Sequence, residues 1–341
     1  MKRRGIRDRA EKKNRKRQAG ACLFLFFLFC FFLCMGLGSV SLSLKELAAV
    51  LTGQGEQSHI NILLFVRLPR VAACALAGGG LAVSGVIIQN VLGNPLAGPN
   101  IIGVNAGAGF AVVLCSALFP LTYRLVPFAA FSGALTAMLI IYFLARKTGA
   151  SRVTLILAGV CVNSMFNAAS DVVHTFGDNT LTGTYGFRLG GFGFVNGNVL
   201  FAAGILILTC IFAACLLADE LEILSLGEQV ASSVGMNTKL FRFLFLALAS
   251  ALAGAVVSFA GLLGFVGLIA PHIARRLIGE ECRRLVPFSA LFGAVFVMLC
   301  DLAARTLFIP YEIPTGILLS FIGAPFFLYL LFCQRRRKSH D

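Results

Sequence analysis

Few side chains in this sequence could carry chemistry, and most of them lie within or beside long apolar stretches. Asp171, His174 and Asp301 are the main ionisable residues inside such stretches. Asp171 and His174 are spaced i, i+3 and would share a helix face, as the members of a proton relay do. They fall near the predicted outer end of their helix, however, where water can reach them. Their position therefore does not favour a buried relay for proton- or sodium-coupled transport.

The sequence lacks the usual catalytic and metal-binding patterns. Its four histidines are too dispersed for a HExxH zinc site, and its eleven cysteines form no CxxC pair. Most of the cysteines lie in apolar runs, where cysteine acts as a small hydrophobe. None of the lysines follows a glycine, so the GxxxxGK[ST] loop that binds nucleotide phosphates is missing. We expect no metal, no cofactor and no enzymatic activity, with any ATP hydrolysis on a separate subunit.

The composition requires a bilayer as the solvent. Only 13% of the 341 residues are charged and the mean hydropathy is +0.88, whereas a soluble domain carries roughly 25% charge. Apolar stretches of ~20 residues recur, each long enough to cross a ~30 Å hydrocarbon core as a helix. We predict an all-α integral membrane protein with about ten transmembrane helices, at residues 21–40, 68–91, 101–120, 125–145, 153–175, 197–217, 241–260, 262–278, 286–303 and 314–333.

The distribution of the 29 lysines and arginines predicts the orientation. Ten lie in the first 17 positions and four at 335–338. With both termini in the cytoplasm, the outer segments keep only Lys45, Arg67, Arg70, Arg124, Arg188 and Arg305. This asymmetry follows the positive-inside rule and explains the net charge of +14 without a nucleic-acid partner. We divide the chain into a basic cytoplasmic tail (1–20), a single transmembrane domain (21–333) and a second basic cytoplasmic tail (334–341).

A repeated segment predicts two pseudo-symmetric halves. ALAGGGLAVSG at 75–85 and ALAGAVVSFAG at 251–261 share five of eleven positions. In the predicted topology the two segments cross the membrane in opposite directions, as an inverted repeat requires. Small residues that allow close helix packing would also produce such a match, so both interpretations stay open.

The longest inner loop, 219–240, mixes apolar and polar residues in a regular pattern. Leu221, Leu224 and Val230 alternate with polar residues, and Gly227 interrupts the stretch. This pattern predicts two short helices joined by a turn. An amphipathic helix lying on the membrane is the alternative, but anionic lipid would repel a loop this rich in acidic residues.

Several short motifs occur in series along the chain. They are RLPR at 67–70 with QNVLGNPLAGPNIIG at 89–103, then GFVGLIAPHIAR at 264–275, then DLAAR at 301–305 with EIPTG at 312–316 and GAPFF at 323–327. Together they resemble the segments of FecCD-type permeases, over about residues 60 to 333. The resemblance implies the permease architecture of a type II ABC importer that carries a ferric siderophore, with haem or cobalamin as other cargoes.

The resemblance also implies partners. A second permease copy would form a dimer with this chain, and two ATP-binding subunits would bind it from the cytoplasm. A substrate-binding protein would deliver cargo on the outer side of a bacterial inner membrane. The alternative is an ion-coupled secondary transporter that acts without partners.

Two sets of residues receive roles from the resemblance. On the outer face, arginines would dock onto acidic residues of the binding protein, although arginines near helix ends also snorkel to the interface. These outer residues are Arg67, Arg70 and Arg305. The inner loop would couple the permease to its ATPase. The coupling residues are Leu224, Leu226, Gly227, Glu228 and Val230.

Three further residues mark the predicted mouth and gate. Arg188 lies in a loop where the family commonly has a tryptophan, and this chain contains none. A cation near the outer mouth would favour an anionic complex. Arg152 and Val153 fall at the family's cytoplasmic gate, where small hydroxyl residues are expected, and this departure puts gating by their side chains in doubt.

Overall fold

Helices make up the secondary structure of the part of the chain that the computed structural model describes: residues 2–38, 46, 55–100, 103–119, 122–147, 152–176, 183–193 and 195–338. A π-helical segment, Ile62–Arg67, joins the second helix to the third. The α-helices are α1 Lys2–Gly36, α2 Gln57–Asn61, α3 Leu68–Leu92, α4 Val104–Leu118, α5 Val126–Lys147, α6 Arg152–Phe176, α7 Gly183–Leu189, α8 Gly197–Leu216, α9 Ala218–Ser225, α10 Glu228–Ser233, α11 Thr238–Ala260, α12 Val266–Ile278, α13 Cys282–Thr306 and α14 Thr315–Lys338.

The long helices follow the predicted order. Ten helices among the described residues have 13 or more residues, and they correspond one to one with the ten predicted spans. Two of them, α4 and the Thr315–Leu330 part of α14, are shorter apolar helices. Within the described ranges, six segments are long and apolar enough to cross a membrane, judged by length and composition: Gln18–Gly36, Gln57–Leu92, Val126–Leu144, Gly197–Leu216, Thr238–Ala260 and Cys282–Thr306. The prediction of an all-α membrane protein is confirmed.

Some helix boundaries differ from the prediction. The basic segment before residue 21 is helical and continues into the first span as one helix, α1. The helix predicted to begin at residue 262 begins at Val266, because the chain leaves helical geometry at Gly261 and stays non-helical through 265. At 1.5 Å per residue, α12 is only about 20 Å long and is too short to cross the hydrocarbon core alone.

The core is built around α3. Most residues of α3 are buried inside the chain, from Val71 to Leu92, whereas few residues of the α1 span are buried and many of its phenylalanines face outward. Small residues let the neighbours approach closely: a methyl group at Gly78 would overlap the backbone of Gly293 in α13, and one at Gly85 would overlap that of Gly267 in α12. Helix α3 is therefore the central element, and α1 lies at the periphery of the bundle.

Candidate functional site

A charged cluster lies at the predicted outer ends of α3 and α13. The two helices pack in opposite directions, so the first turn of α3 meets the last turns of α13. The π-helical segment before α3 ends at Arg67, and such segments often occur at functional positions. These elements bring together Arg67, Arg70, Asp301 and Arg305. The segment before α14 adds Glu312, and the first residue of α14 adds Thr315.

Asp301 is the centre of this outer cluster and is only 2% exposed. Arg70 donates to it twice, from Nε to Oδ2 at 3.1 Å and from Nη2 to Oδ1 at 3.1 Å. The Thr315 hydroxyl donates to Oδ1 at 2.9 Å, and Nε of Arg305 lies 3.6 Å from Oδ2. The third guanidinium nitrogen of Arg70, Nη1, donates to Glu312 at 2.9 Å. The buried carboxylate is thus surrounded by donors, as a charge inside a protein requires.

The other two arginines hold the end of α1. Nη1 of Arg67 donates to the carbonyl oxygens of Met35 at 2.6 Å and Gly36 at 2.8 Å. Nη2 of Arg305 donates to the carbonyl oxygen of Cys34 at 2.8 Å. These carbonyls belong to the last turn of α1, where helix geometry leaves them without partners and cations are favourable. Two buried guanidinium groups therefore attach α1 to the bundle.

The burial of these arginines changes the expectation for the outer face. Arg67 and Arg305 are each 4% exposed, and their guanidinium groups point inward, so they do not snorkel towards the interface. Arg70 is 12% exposed, and Glu312 at 40% is the most exposed member of the cluster. The docking role of the three arginines stays a prediction. What the contacts give directly is a structural role, which sequence reasoning missed.

On the predicted cytoplasmic side, the 219–240 loop folds as expected. Helices α9 and α10 are separated by Gly227, whose φ of 113° is a conformation that favours glycine. Leu221 and Leu224 are buried against the bundle. Leu224 is 2% exposed because its side of α9 faces the core, so its side chain anchors α9, and its coupling role stays a prediction.

The exposed side of this loop carries an apolar patch, formed by Leu226, Val230 and Val234. These side chains are 64%, 46% and 68% exposed. Glu228, beside them, pairs with Arg242 of α11 at 3.2 Å. Three exposed large apolar side chains within nine residues of a loop predicted to face the cytoplasm are typical of a binding site for another protein.

Polar contacts fix α9 to the start of α13. A carboxylate oxygen of Glu222 accepts from the backbone N–H of Cys282 at 2.9 Å, which caps α13. Asp219 pairs with Arg283. The hydrogen bonds from Arg283 lower the pKa of the Asp219 carboxyl below its usual value.

A polar stripe occupies the C-terminal half of α6, at 164–175, whereas Leu157 and Val160 are exposed in the N-terminal half. Ser164, Asn167, Asp171 and Thr175 are all exposed in the single chain. At 3.6 residues per turn they lie within roughly 80° of the helix circumference. Polar side chains on a membrane helix face a water-filled path or another protein, not lipid. The spacing of these residues was readable in the sequence, but the side of α6 that stays uncovered was not.

Helix α6 also holds the residues considered for a proton relay and those considered for the cytoplasmic gate. Asp171 lies on the exposed stripe, whereas His174 is partly buried and its Nε2 has no hydrogen-bond partner among the described residues. The part of α6 that holds Arg152 and Val153 is helical, but their side chains lie outside the described part of the structure. Within the described ranges, no group of three or more His, Cys, Asp or Glu is placed to hold a metal.

Arg188 lies in the short helix α7 and is exposed. This helix is tied to the non-helical segment before α12, because the N–H of Leu262 donates to the carbonyl oxygen of Phe187 at 3.0 Å. It is also tied to α14, where the N–H of Gly316 donates to Gly190 at 3.0 Å. Phe187 is partly buried and packs against the core. These bonds position Arg188 on the surface beside the start of α14.

The chain is similar to membrane permeases of iron-complex importers. The model of the FecCD transport family matches residues 25–333. The Fe(3+)-citrate import system permease protein YfmE of Bacillus subtilis is 37% identical over 286 residues, which are 83% of this chain and 85% of that protein. The hemin transport system permease protein HmuU of Yersinia pestis is 36% identical over 285 residues, 82% of this chain and 85% of that protein. A solved metal-chelate type ABC transporter in an inward-facing conformation superposes with a TM-score of 0.84 at 30% identity, covering 93% of this chain and 99% of that one.

Proposed function

Because this chain belongs to the FecCD transport family, we propose that it is the membrane-spanning permease subunit of an ATP-driven importer that moves an iron complex into the cytoplasm. The observation that carries this proposal is the apolar patch of Leu226, Val230 and Val234. A chain without a nucleotide-binding loop needs a partner for ATP hydrolysis, and the patch is a surface suited to one.

Coupling through the patch follows from how α9 and α10 are anchored. A partner that moves on ATP hydrolysis would push on Leu226 and Val230, and the rigid attachment of α9 through Glu222 and Asp219 would carry that motion to α13. Since α13 packs on α3, the motion would reach the central helix. Gly227 allows the sharp turn that presents the patch, and Glu228 fixes α10 to α11.

The transport path lies along the polar stripe of α6. In a single chain this stripe would face lipid, which is unfavourable for Asn167 and Asp171. A second copy of the chain would enclose the stripe and give a polar path between the two copies. Each copy would then bind one ATP-binding subunit on the cytoplasmic side, where both termini also lie.

An iron complex is the cargo class that the relatives support. One relative is named for ferric citrate and the other for hemin. Both cargoes are iron chelates. We infer a ferric siderophore for this chain, and Arg188 on the outer surface would favour an anionic one.

Delivery by an extracytoplasmic binding protein completes the proposal. Arg70 and Glu312 are the partly exposed charged residues of the outer cluster. Charge pairs at the rim of an interface guide the encounter and orientation of two proteins. Arg67 and Arg305 would contact such a partner only if the end of α1 moved away. We propose that they act mainly by holding α1, and that Arg70 is the docking residue of the three.

Reconstitution tests the energy source. Liposomes are prepared with this chain, its ATP-binding subunits and its binding protein. They should take up a radiolabelled ferric complex only when ATP is present on the side of the membrane that carries the ATP-binding subunits. Each partner omitted in turn serves as the control. Uptake by the chain alone, driven by a proton or sodium gradient, would instead establish a secondary transporter.

The role of Arg188 is tested separately. We expect Arg188→Ala to lower uptake of an anionic ferric complex relative to a neutral one by about fivefold, because it removes one charge contact on the order of 1 kcal/mol. The measurement is competing uptake of the two complexes in the same liposomes. Arg124→Ala, another exposed outer arginine, is the matched control. An unchanged preference in Arg188→Ala would remove Arg188 from the path.

A further inference from the structure

A groove of about 380 Å³ lies between α1, the end of α12 and the start of α13. Three cationic side chains line it: Lys16, Arg283 and Arg284. Its remaining lining is apolar or small and includes Ile278, Phe288 and Leu291, with Gly20 on the α1 side. No acidic side chain is among the described residues that line this groove.

The cations and the apolar residues occupy different levels of the membrane. Lys16 precedes the span of α1 by two residues, and Arg283 and Arg284 fall in the first turn of the α13 span. Phe288 and Leu291 lie one and two turns deeper along α13. The groove therefore has a cationic rim at the predicted cytoplasmic interface and an apolar floor directed into the bilayer.

The carboxylates near the rim leave its cations able to bind an anion. Arg283 uses Nε and Nη2 on Asp219, and Arg284 lies 3.5 Å from Glu281. A guanidinium group has five N–H donors, so each arginine keeps free donors, and their side chains are 68% and 36% exposed. Lys16 has no ion pair within the described part of the chain, and its ammonium is beside Gly279 at the end of α12.

We propose that this groove binds one anionic phospholipid from the inner leaflet. The phosphate would lie among Lys16, Arg283 and Arg284, and an acyl chain would follow Phe288 and Leu291 into the bilayer. A lipid satisfies both halves of the groove, because it alone combines a negative headgroup with a long apolar chain at this depth. The bound lipid would join α1, which is otherwise peripheral, to the α12–α13 corner that also anchors α9.

Gly20 offers a direct way to fill the groove. A Cβ placed at this residue would meet no other atom within 4 Å. A phenylalanine there would therefore start without a Cβ clash from a residue that lines the groove, and glycine is unfavourable inside a helix. Gly20→Phe should compete with the lipid while leaving the bundle folded.

Native mass spectrometry of the full-length chain tests the proposal. The protein, purified in detergent, is titrated with phosphatidylglycerol or with phosphatidylcholine of the same acyl chains. We expect preferential binding of one phosphatidylglycerol, weakened about fivefold in Lys16→Gln, as expected for one basic contact to anionic lipid, and lost in Gly20→Phe. Lys239→Gln removes an exposed cytoplasmic charge outside the groove and should bind as the parent does.

Other outcomes would overturn the proposal. Equal binding of the two lipids, or an equal loss in Lys239→Gln, would mean general attraction to a basic surface. Unchanged binding in Gly20→Phe would place the lipid elsewhere, and displacement by millimolar inorganic phosphate would indicate a free-anion site. Thermal unfolding of each variant in zwitterionic detergent checks that it is folded. The readout is independent of transport, so it separates this proposal from the importer function.

Discussion

Replacement of Asp301 by alanine should destabilise the protein by about 3–5 kcal/mol, the usual result of removing one partner from a buried ion pair. The carboxylate is 2% exposed and accepts from Arg70 and Thr315, with Arg305 at 3.6 Å. Without this carboxylate, the positive charges of Arg70 and Arg305 would lose the buried negative charge that neutralises them. Arg305 also holds the end of α1, so that helix should loosen as well.

The measurement is the free energy of unfolding of the purified protein in mixed detergent micelles. Glu312→Gln is the matched control, because it also removes a carboxylate that pairs with Arg70 but lies 40% exposed; its effect should stay within about 1 kcal/mol. Asp301→Asn keeps the size and one acceptor oxygen and should fall between the two. Equal stability of Asp301→Ala and the parent would mean that the outer cluster does not hold the bundle together.

Val230→Asp should abolish ATP-driven uptake while leaving the permease folded. Val230 is 46% exposed within the apolar patch, so an aspartate there is harmless in the free chain. In a complex with an ATPase it would become an uncompensated buried charge, which costs about 3–5 kcal/mol. Such a penalty weakens binding by more than about a hundredfold.

The measurement is ATPase binding and ATP-dependent uptake in liposomes. Ser232→Asp introduces the same charge on α10, about 200° around the helix from Val230, at another exposed position. It should retain most of the activity. Full activity in Val230→Asp, or equal loss in both variants, would remove the patch from the coupling surface.

Local patterns in the sequence were sufficient for some features of these two sites. The acidic and apolar pattern around Gly227 predicted two short helices and a turn, and both are present. Which leucines face outward could not be predicted, because the docking of α9 on the bundle decides it. Leu224 and Leu226 are close in sequence, yet one is buried and the other is 64% exposed.

The outer cluster shows a similar division. The motifs placed Arg70, Asp301 and Arg305 near the outer ends of two helices. No sequence pattern connects Arg67 with the carbonyls of α1, because every residue carries the same backbone carbonyl and the sequence does not mark which ones accept a hydrogen bond. Likewise, the spacing of polar residues on α6 predicts a stripe, but only the packing of the other helices leaves that side uncovered.

The attachment of α1 has a consequence for biosynthesis. Arg67 donates to Met35 and Gly36, but the second attachment, from Arg305 to Cys34, joins residues 271 positions apart. At 5–20 residues per second a ribosome needs roughly 15–50 s to cover that distance. During this interval the first helix is already in the membrane and is held on one side only. A nascent chain that ends before Arg305 would carry an incompletely secured first helix, which membrane quality-control proteases could distinguish from the finished permease.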